Sequence, residues 1–455
     1  MLRCKFIDVA KLTRILFLIL YLSFVCIFVC ISQENGDSLK KVQLWNLHFQ
    51  NTEIFQFHPS FKASYSGQNS LSSKDESTIS STSTLFFGFQ PWKNASLYLN
   101  PEVSAGKGFS RTLGVAGFPN GEVYRVSDPK LHFTPARFYL RQIFPLSEKS
   151  HYIEEDLNQL ASNIPESYFA LTAGKFSIMD FFDDNRYSHD PRTQFYNWAL
   201  MGNGAWDYPA DTKGYTYGVV AELVKPRWAI RFASVMVPTT ANGSTFDGNF
   251  KNANSEALEF EKQILINSLP GEFHLLVFYN EAKMGSYQKA LDWGATYNLA
   301  PVIDSVQKAG NTKYGFGFSL DQQISKSAGI FFRTSWNEGQ YETWMFTEID
   351  RAFSGGFNFK GDIWNRNNDE IGIALIGNGL SDIHKKYIAA GGYGFIIGDG
   401  HLNYGNEFIT EIYYSFKITM GSLWFSPDYQ FIINPAYNKD RGPVHAFGLR
   451  AHFEL

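Results

Sequence analysis

The densest polar chemistry in the 455-residue chain lies between positions 178 and 212. Asp180, Asp183, Asp184, Asn185, Arg186, His189, Asp190 and Arg192 are followed by Trp198, Trp206, Asp207 and Tyr208. Any one charged loop residue is ordinarily solvated surface. As a group these residues also suit a constriction for sugars, whose hydroxyls need donors and acceptors while their C–H faces rest on aromatic rings. Further candidates occupy alternate positions of apolar stretches: Arg137, Tyr139, Arg141, Arg231, Glu259, Glu261, Arg333, Glu411 and Tyr413. Facing Arg and carboxylate groups would set a transverse field and an ion preference in a pore, or would hydrogen-bond each other and brace a wall. The acids of the loop offer a divalent cation some ligands, but their spacing is not that of an EF-hand. The expected constriction residues are therefore Arg137, Tyr139, Arg141, Asp183, Asp184, Arg186, Arg192, Trp198, Trp206, Arg231, Glu259 and Glu261.

Covalent chemistry finds no such support. There is no G-x-x-x-x-G-K-S/T, H-E-x-x-H, G-x-S-x-G or C-x-x-C motif, and Gly392, Gly394 and Gly398 miss the dinucleotide spacing. The ten histidines are scattered singly, so spacing alone makes no metal pair. No Ser/His pairing stands out in the strand-like stretches. Neither a catalytic site, a cofactor nor a metal is expected. The sequons Asn94-Ala-Ser96 and Asn242-Gly-Ser244 are short patterns that arise by chance.

The first 32 residues are a different material from the rest. Arg3, Lys5, Lys11 and Arg14 precede an apolar run from Ile15 to Ile31 that stops at Ser32-Gln33-Glu34-Asn35, which reads as a cleaved export signal. Valines before Cys26 and Cys30 speak against a lipid anchor, and with Cys4 these are the only cysteines, so a mature chain from residue 33 has no disulfide framework. Charged residues make up 18% and aromatics 17%, with 42 Phe and 24 Tyr, which excludes a disordered chain. A net charge of -4 without a basic run excludes a nucleic-acid partner.

No stretch beyond residue 32 is long and apolar enough for a spanning helix, which leaves strands as the membrane mode. Phe447, Leu449, Ala451, Phe453 and Leu455 alternate with Gly448, Arg450, His452 and Glu454. Residues 137–144 and 256–266 alternate in the same way. A soluble sandwich would also alternate. The connections add specificity: short turns such as Pro91–Asn94, Lys225–Arg227, Leu269–Gly271 and Ser325–Gly329 fall at every second junction, and long loops fill many of the others. That rhythm predicts an all-β transmembrane antiparallel barrel of about sixteen strands over residues 33–455, with long external loops, one constriction loop and an aqueous channel. The expected strands begin at 45–58 and 79–90 and end at 422–434 and 443–455. Trp92, Trp228, Trp336, Trp364 and Tyr414 suit interfacial girdles.

From Asn46–Thr52 to its end the chain resembles the OprB family of carbohydrate-selective porins. The stretches that carry the likeness are Gly174–Asn185, Asp190–Phe195, Asn197–Leu200, Gly204–Pro209, Gly214–Gly218, Leu402–Gly405 and Asn434–Gly442. Terminal Leu455 departs from the aromatic residue that commonly ends such barrels. The resemblance implies an outer-membrane porin of a Gram-negative bacterium that passes monosaccharides such as glucose by facilitated diffusion. Its expected partners are small sugars, the lipid bilayer with lipopolysaccharide, and the barrel-assembly machinery. A general porin with only size and charge selectivity is the nearest rival, ahead of a barrel enzyme or an adhesin.

Overall fold

Alternating polarity demands extended chain, because only a strand sends neighbouring side chains to opposite faces. The computed structural model describes residues 42–124, 130–418 and 422–455, so the expected signal at 1–32 lies outside the described residues. The strands of the first half are β1 (Trp45–His58), β2 (Glu76–Phe89), β3 (Ala95–Gly106), β4 (His132–Pro145), β5 (Ser150–Ile153), β6 (Ser162–Pro165), β7 (Tyr168–Phe176), β8 (Thr216–Lys225) and β9 (Trp228–Met236). Those of the second half are β10 (Asn254–Ile266), β11 (Leu269–Ala282), β12 (Asn311–Gln323), β13 (Ala328–Asn337), β14 (Arg351–Lys360), β15 (Glu370–Gly379), β16 (Glu407–Lys417), β17 (Leu423–Ile433) and β18 (Val444–Glu454). Sixteen of them form one closed antiparallel barrel, with β18 returning to pair with β1, while β5 and β6 make a separate hairpin.

All sixteen expected strands are present, and the differences lie at their ends. The turn expected at Leu269–Gly271 sits two residues earlier, at Asn267 and Ser268, both with positive φ (52° and 62°). Two left-handed residues give the turn twist that matches the flanking strands, so Leu269 already belongs to β11. β3 and β4 slip register between Asn100 and Pro101, where Pro101 faces Pro135. Proline has no N–H to give the ladder, and the irregularity accommodates both rings.

The alternation separates two environments. On β18, Phe447 and Leu449 point outward and are nearly half exposed, whereas Arg450 and His452 point inward and are buried. The outer face is aromatic and aliphatic around most of the barrel, as a lipid-facing wall requires. One exception sits on β1, where Glu53 and Asn51 lie outside between Phe49 and Phe55. Glu53 accepts a hydrogen bond from Ser81 at 2.6 Å, and Asn51 donates to Ser83 at 2.9 Å. Trp92 and Trp364 lie in connections at the turn end, where Trp228 and Tyr414 also sit on strand ends, and Trp336 lies toward the loop end.

Among the described residues three short α-helices decorate the loops: α1 (Trp198–Met201), α2 (Tyr287–Tyr297) and α3 (Asp382–Ala389). Ser286 and Ser381 cap α2 and α3 through their side-chain oxygens. The two helices meet where Tyr287 stacks on His384 at 4.2 Å between ring centres. His384 Nδ1 lies 2.9 Å from Asp350 Oδ2, and Lys313 Nζ lies 4.0 Å from the other oxygen, all three side chains being fully buried. Burial opposes ionisation of Asp350, but His384 and Lys313 outweigh it and hold the carboxyl down at about 2.

Candidate functional site

Residues 177–215 connect β7 to β8, and this loop crosses the lumen. A capping box between Ser177 and Asp180 opens it with a single helical turn. Asn197 accepts from the N–H of Ala199 at 2.9 Å and starts α1. Inward side chains of the wall then moor the loop from several directions. From β18, the Arg450 guanidinium donates to the carbonyls of Pro191, Thr193 and Gln194 at 2.7–2.8 Å. On β16, Glu411 accepts from the N–H groups of Tyr196 and Asn197. Across the barrel, Arg333 Nε donates to Asp183 Oδ1 at 3.2 Å, while the Asp183 N–H donates to Glu259 Oε2 at 2.7 Å. Arg333, Arg450 and Asp183 are 1% exposed or less, so these are interior contacts that water does not loosen.

A second loop, 107–131, of which 125–129 lie outside the described residues, joins the constriction. Gln56 and Gln430 both donate to the carbonyl of Pro119, at 2.6 and 3.0 Å. The N–H of Gly121 donates to the carbonyl of Tyr196 at 2.6 Å. Gly117 is required by close approach, since a Cβ there would stand 2.9 Å from Asn378 and Ile409. The sequence reading identified one constriction loop. The available signal for the second was its apolar, glycine-punctuated run Gly114-Val-Ala-Gly-Phe-Pro-Asn-Gly121, unusual for a loop in water.

Between these loops and the wall of β1–β4 lies a cavity of about 320 Å³. Arg192 crosses one side of it: Nε is 3.1 Å from both oxygens of Glu122, Nη2 donates to Glu102 at 3.0 Å, and Nη1 reaches Thr84 and Gln50. Burial opposes its charge, but Glu122 and Glu102 outweigh that and raise its pKa well above the ordinary value. Arg137 makes a two-pronged pair with Asp180 at 2.6 and 2.7 Å. The Tyr215 hydroxyl donates to Glu102 at 3.1 Å. Burial holds the Lys213 ammonium below its usual pKa, against Glu102 and Asp211, and raises the Asp211 carboxyl. On the aromatic side Trp198 stacks on Phe346 at 5.4 Å, and Phe346 meets Tyr208 at 4.1 Å. Phe346 is positioned by Asp207, whose carboxylate accepts the N–H groups of Trp344, Met345 and Phe346 at 2.8–3.0 Å.

Of the twelve expected constriction residues, Arg137, Arg192 and Trp198 meet at this cavity, together with Asp180, His189, Asp190 and Tyr208 of the polar loop. Tyr139 packs beside it, against Tyr98, Phe176 and Phe181. Asp183 and Trp206 are buried, the first in the mooring contacts above and the second among Phe182 and Tyr208. Asp184 and Arg186 project to the other side of the loop, where Arg186 lines a second cavity with Arg227 and Glu272. Arg141, Arg231, Glu259 and Glu261 form a wall ladder. Arg141 and Arg231 share Glu222, and Arg231 also contacts Glu259 and Glu261. His274 lies 3.1 Å from Glu259. Alternating charges at such distances satisfy one another and stiffen the wall. Glu222, Glu102, Glu122, Lys213, Tyr215 and Phe346 were missed. Glu222 had a signal, as the one acid within Val219-Val-Ala-Glu-Leu-Val224, but Glu102 is masked by the register slip after Asn100.

A channel of this architecture has known counterparts. The family profile described as "Carbohydrate-selective porin, OprB family" matches residues 89–455. No curated protein sequence matches the chain. Among solved structures, OprB of Pseudomonas putida superposes with a TM-score of 0.68 at 15% identity, over 90% of this chain and 94% of that one. The outer membrane channel DcaP of Acinetobacter baumannii gives 0.47 at 11% identity, over 92% and 99%. OccAB1 of the same organism gives 0.47 at 10%, over 91% and 97%. With its closed sixteen-stranded barrel and the profile match over most of its length, the chain belongs to the OprB family of carbohydrate-selective porins, channels of the Gram-negative outer membrane rather than enzymes.

Proposed function

We propose that the protein passes monosaccharides such as glucose by facilitated diffusion, through a site built from the ionic and aromatic sides of the cavity. The observation that carries this reading is the placement of the Trp198–Phe346–Tyr208 aromatic run in the same small cavity as the Arg192–Glu102–Glu122 and Arg137–Asp180 groups. The rings accept a sugar's C–H face, and the charged groups accept and donate to its hydroxyls as water is left behind. A cavity of about 320 Å³ is close to the lower size of small-molecule sites, which suits one small sugar at a time. Residues 1–32 serve as the export signal and are removed. Lipopolysaccharide and the barrel-assembly machinery are the partners expected of such a barrel.

The test is conductance of the refolded mature protein in a planar bilayer, titrated with glucose and with larger sugars. Saturable block by glucose that weakens as the sugars grow supports the reading. Conductance indifferent to every sugar replaces it with a general porin.

A further inference from the structure

Connections at the turn end of the barrel are brief, from two residues at 226–227 to nine at 361–369, with one departure. Between β4 and β7 the chain runs through residues 146–167 and folds its own hairpin, β5 paired with β6. The hairpin is bound to the inside of the wall. Asn46 on β1 donates to the carbonyl of Gln159 at 2.9 Å. Gln43 exchanges hydrogen bonds with Ala161 at 2.9 and 3.0 Å and donates to Glu155 at 2.6 Å. Leu160 and Ala161 are 4% exposed, and the Leu160 N–H lies 3.4 Å from the hydroxyl of Tyr98 on β3. Gly88 on β2 leaves the room, since a Cβ there would stand 3.2 Å from Leu160 Cδ2.

This finger ends in a tight corner. Asp156 and Gln159 bond each other through both N–H groups at 3.0 and 3.1 Å, with Leu157 and Asn158 between them and Asn158 in the left-handed region (φ 52°). Leu157 and Asn158 line the same cavity as Arg137, Arg192 and Trp198. Asn158 is partly exposed to the cavity, while its Oδ1 is turned away from open space and finds no donor within the fold, so rotation of the amide about Cβ–Cγ is what presents it to the cavity. An unsatisfied carbonyl oxygen carries a desolvation cost that an arriving hydroxyl relieves. The corner is preceded by exposed Glu154, Glu155 and Asp156, acids that disfavour an anion at this mouth and leave a neutral sugar unaffected.

We infer that the finger at 146–167 is the turn-end half of the sugar site, with Asn158 accepting from a hydroxyl of a neutral sugar and Leu157 narrowing its way out. This rests on the sugar-channel reading above and adds to it a residue on the side opposite the long loops. The experiment is single-channel block by glucose and by glucose 6-phosphate, measured on the wild type, Asn158→Gly and Asn158→Asp. Glycine keeps the left-handed turn while removing the amide, and aspartate keeps an acceptor. We expect Asn158→Gly to raise the half-blocking glucose concentration about three- to tenfold, the worth of one net hydrogen bond. Asn158→Asp should stay near the wild type, and glucose 6-phosphate should block the wild type more weakly than glucose. A wild type blocked by glucose together with an Asn158→Gly variant blocked equally well overturns the role of the finger alone. A wild type insensitive to glucose overturns the sugar-channel reading and this one with it.

Discussion

Arg192 is held by two carboxylates and two neutral groups, so removing it does more than delete one charge. In Arg192→Ala, Glu102 and Glu122 face the cavity without their common partner. The expected result is a shift of the reversal potential toward cations in a salt gradient, with an unchanged potential excluding Arg192 from the conducting path. Trp198 acts through its face rather than its charge. Trp198→Ala is expected to weaken glucose block about three- to tenfold, as loss of a stacking surface does, while leaving the salt reversal potential in place. Titrating block and reversal potential on both variants separates the two contributions. At this scale the sequence was only partly legible. Arg137, Arg192 and Trp198 were found from residue type and strand alternation, because charge and aromaticity are visible in one dimension. That Asp183 and Trp206 lie inside packed structure while Asp184 faces open space depends on how the loop turns at Asp183, whose φ of 55° no motif announces.

Each long loop has an anchor that reaches across the chain, and the anchors set which elements move together. Asp207 gathers three N–H groups of the 338–350 loop, so Asp207→Ala leaves them buried without an acceptor. A loss of about 3 kcal/mol in unfolding stability is expected from such a deletion, read by chemical denaturation of the folded barrel. An unchanged midpoint would mean that the loop is held elsewhere. The α2–α3 cap responds to acid. Asp350 is held at about 2 in the folded protein, below its value in an unfolded chain. Its contribution is therefore full above pH about 4 and is lost as pH falls through about 2, an effect of about 2 kcal/mol. Hydrogen exchange across Asp382–Ala389 should accelerate over that acid range in the wild type and show no such step in Asp350→Asn. The elements themselves were well marked in the sequence, since period-two alternation and turn residues report strands directly. The β5–β6 hairpin was not, because strands of four residues are too short for alternation to register.

For the molecule as a whole, closure decides stability, because a sheet without edges leaves no backbone group facing hydrocarbon. The outer wall has a polar interruption on β1, Glu53 with Asn51, Ser81 and Ser83. A carboxyl at that place disfavours lipid contact, so Glu53→Leu is expected to raise the thermal unfolding temperature in detergent or lipid, and a lowered temperature would show that the group contributes more to the wall than it costs. The seam that closes the barrel has a further consequence. Arg450 lies on β18, the last strand, and its side chain binds the constriction loop's backbone at the carbonyls of Pro191, Thr193 and Gln194. A chain whose final strand has not yet joined β1 lacks that tie, so the step that closes the cylinder also completes the mooring of the filter.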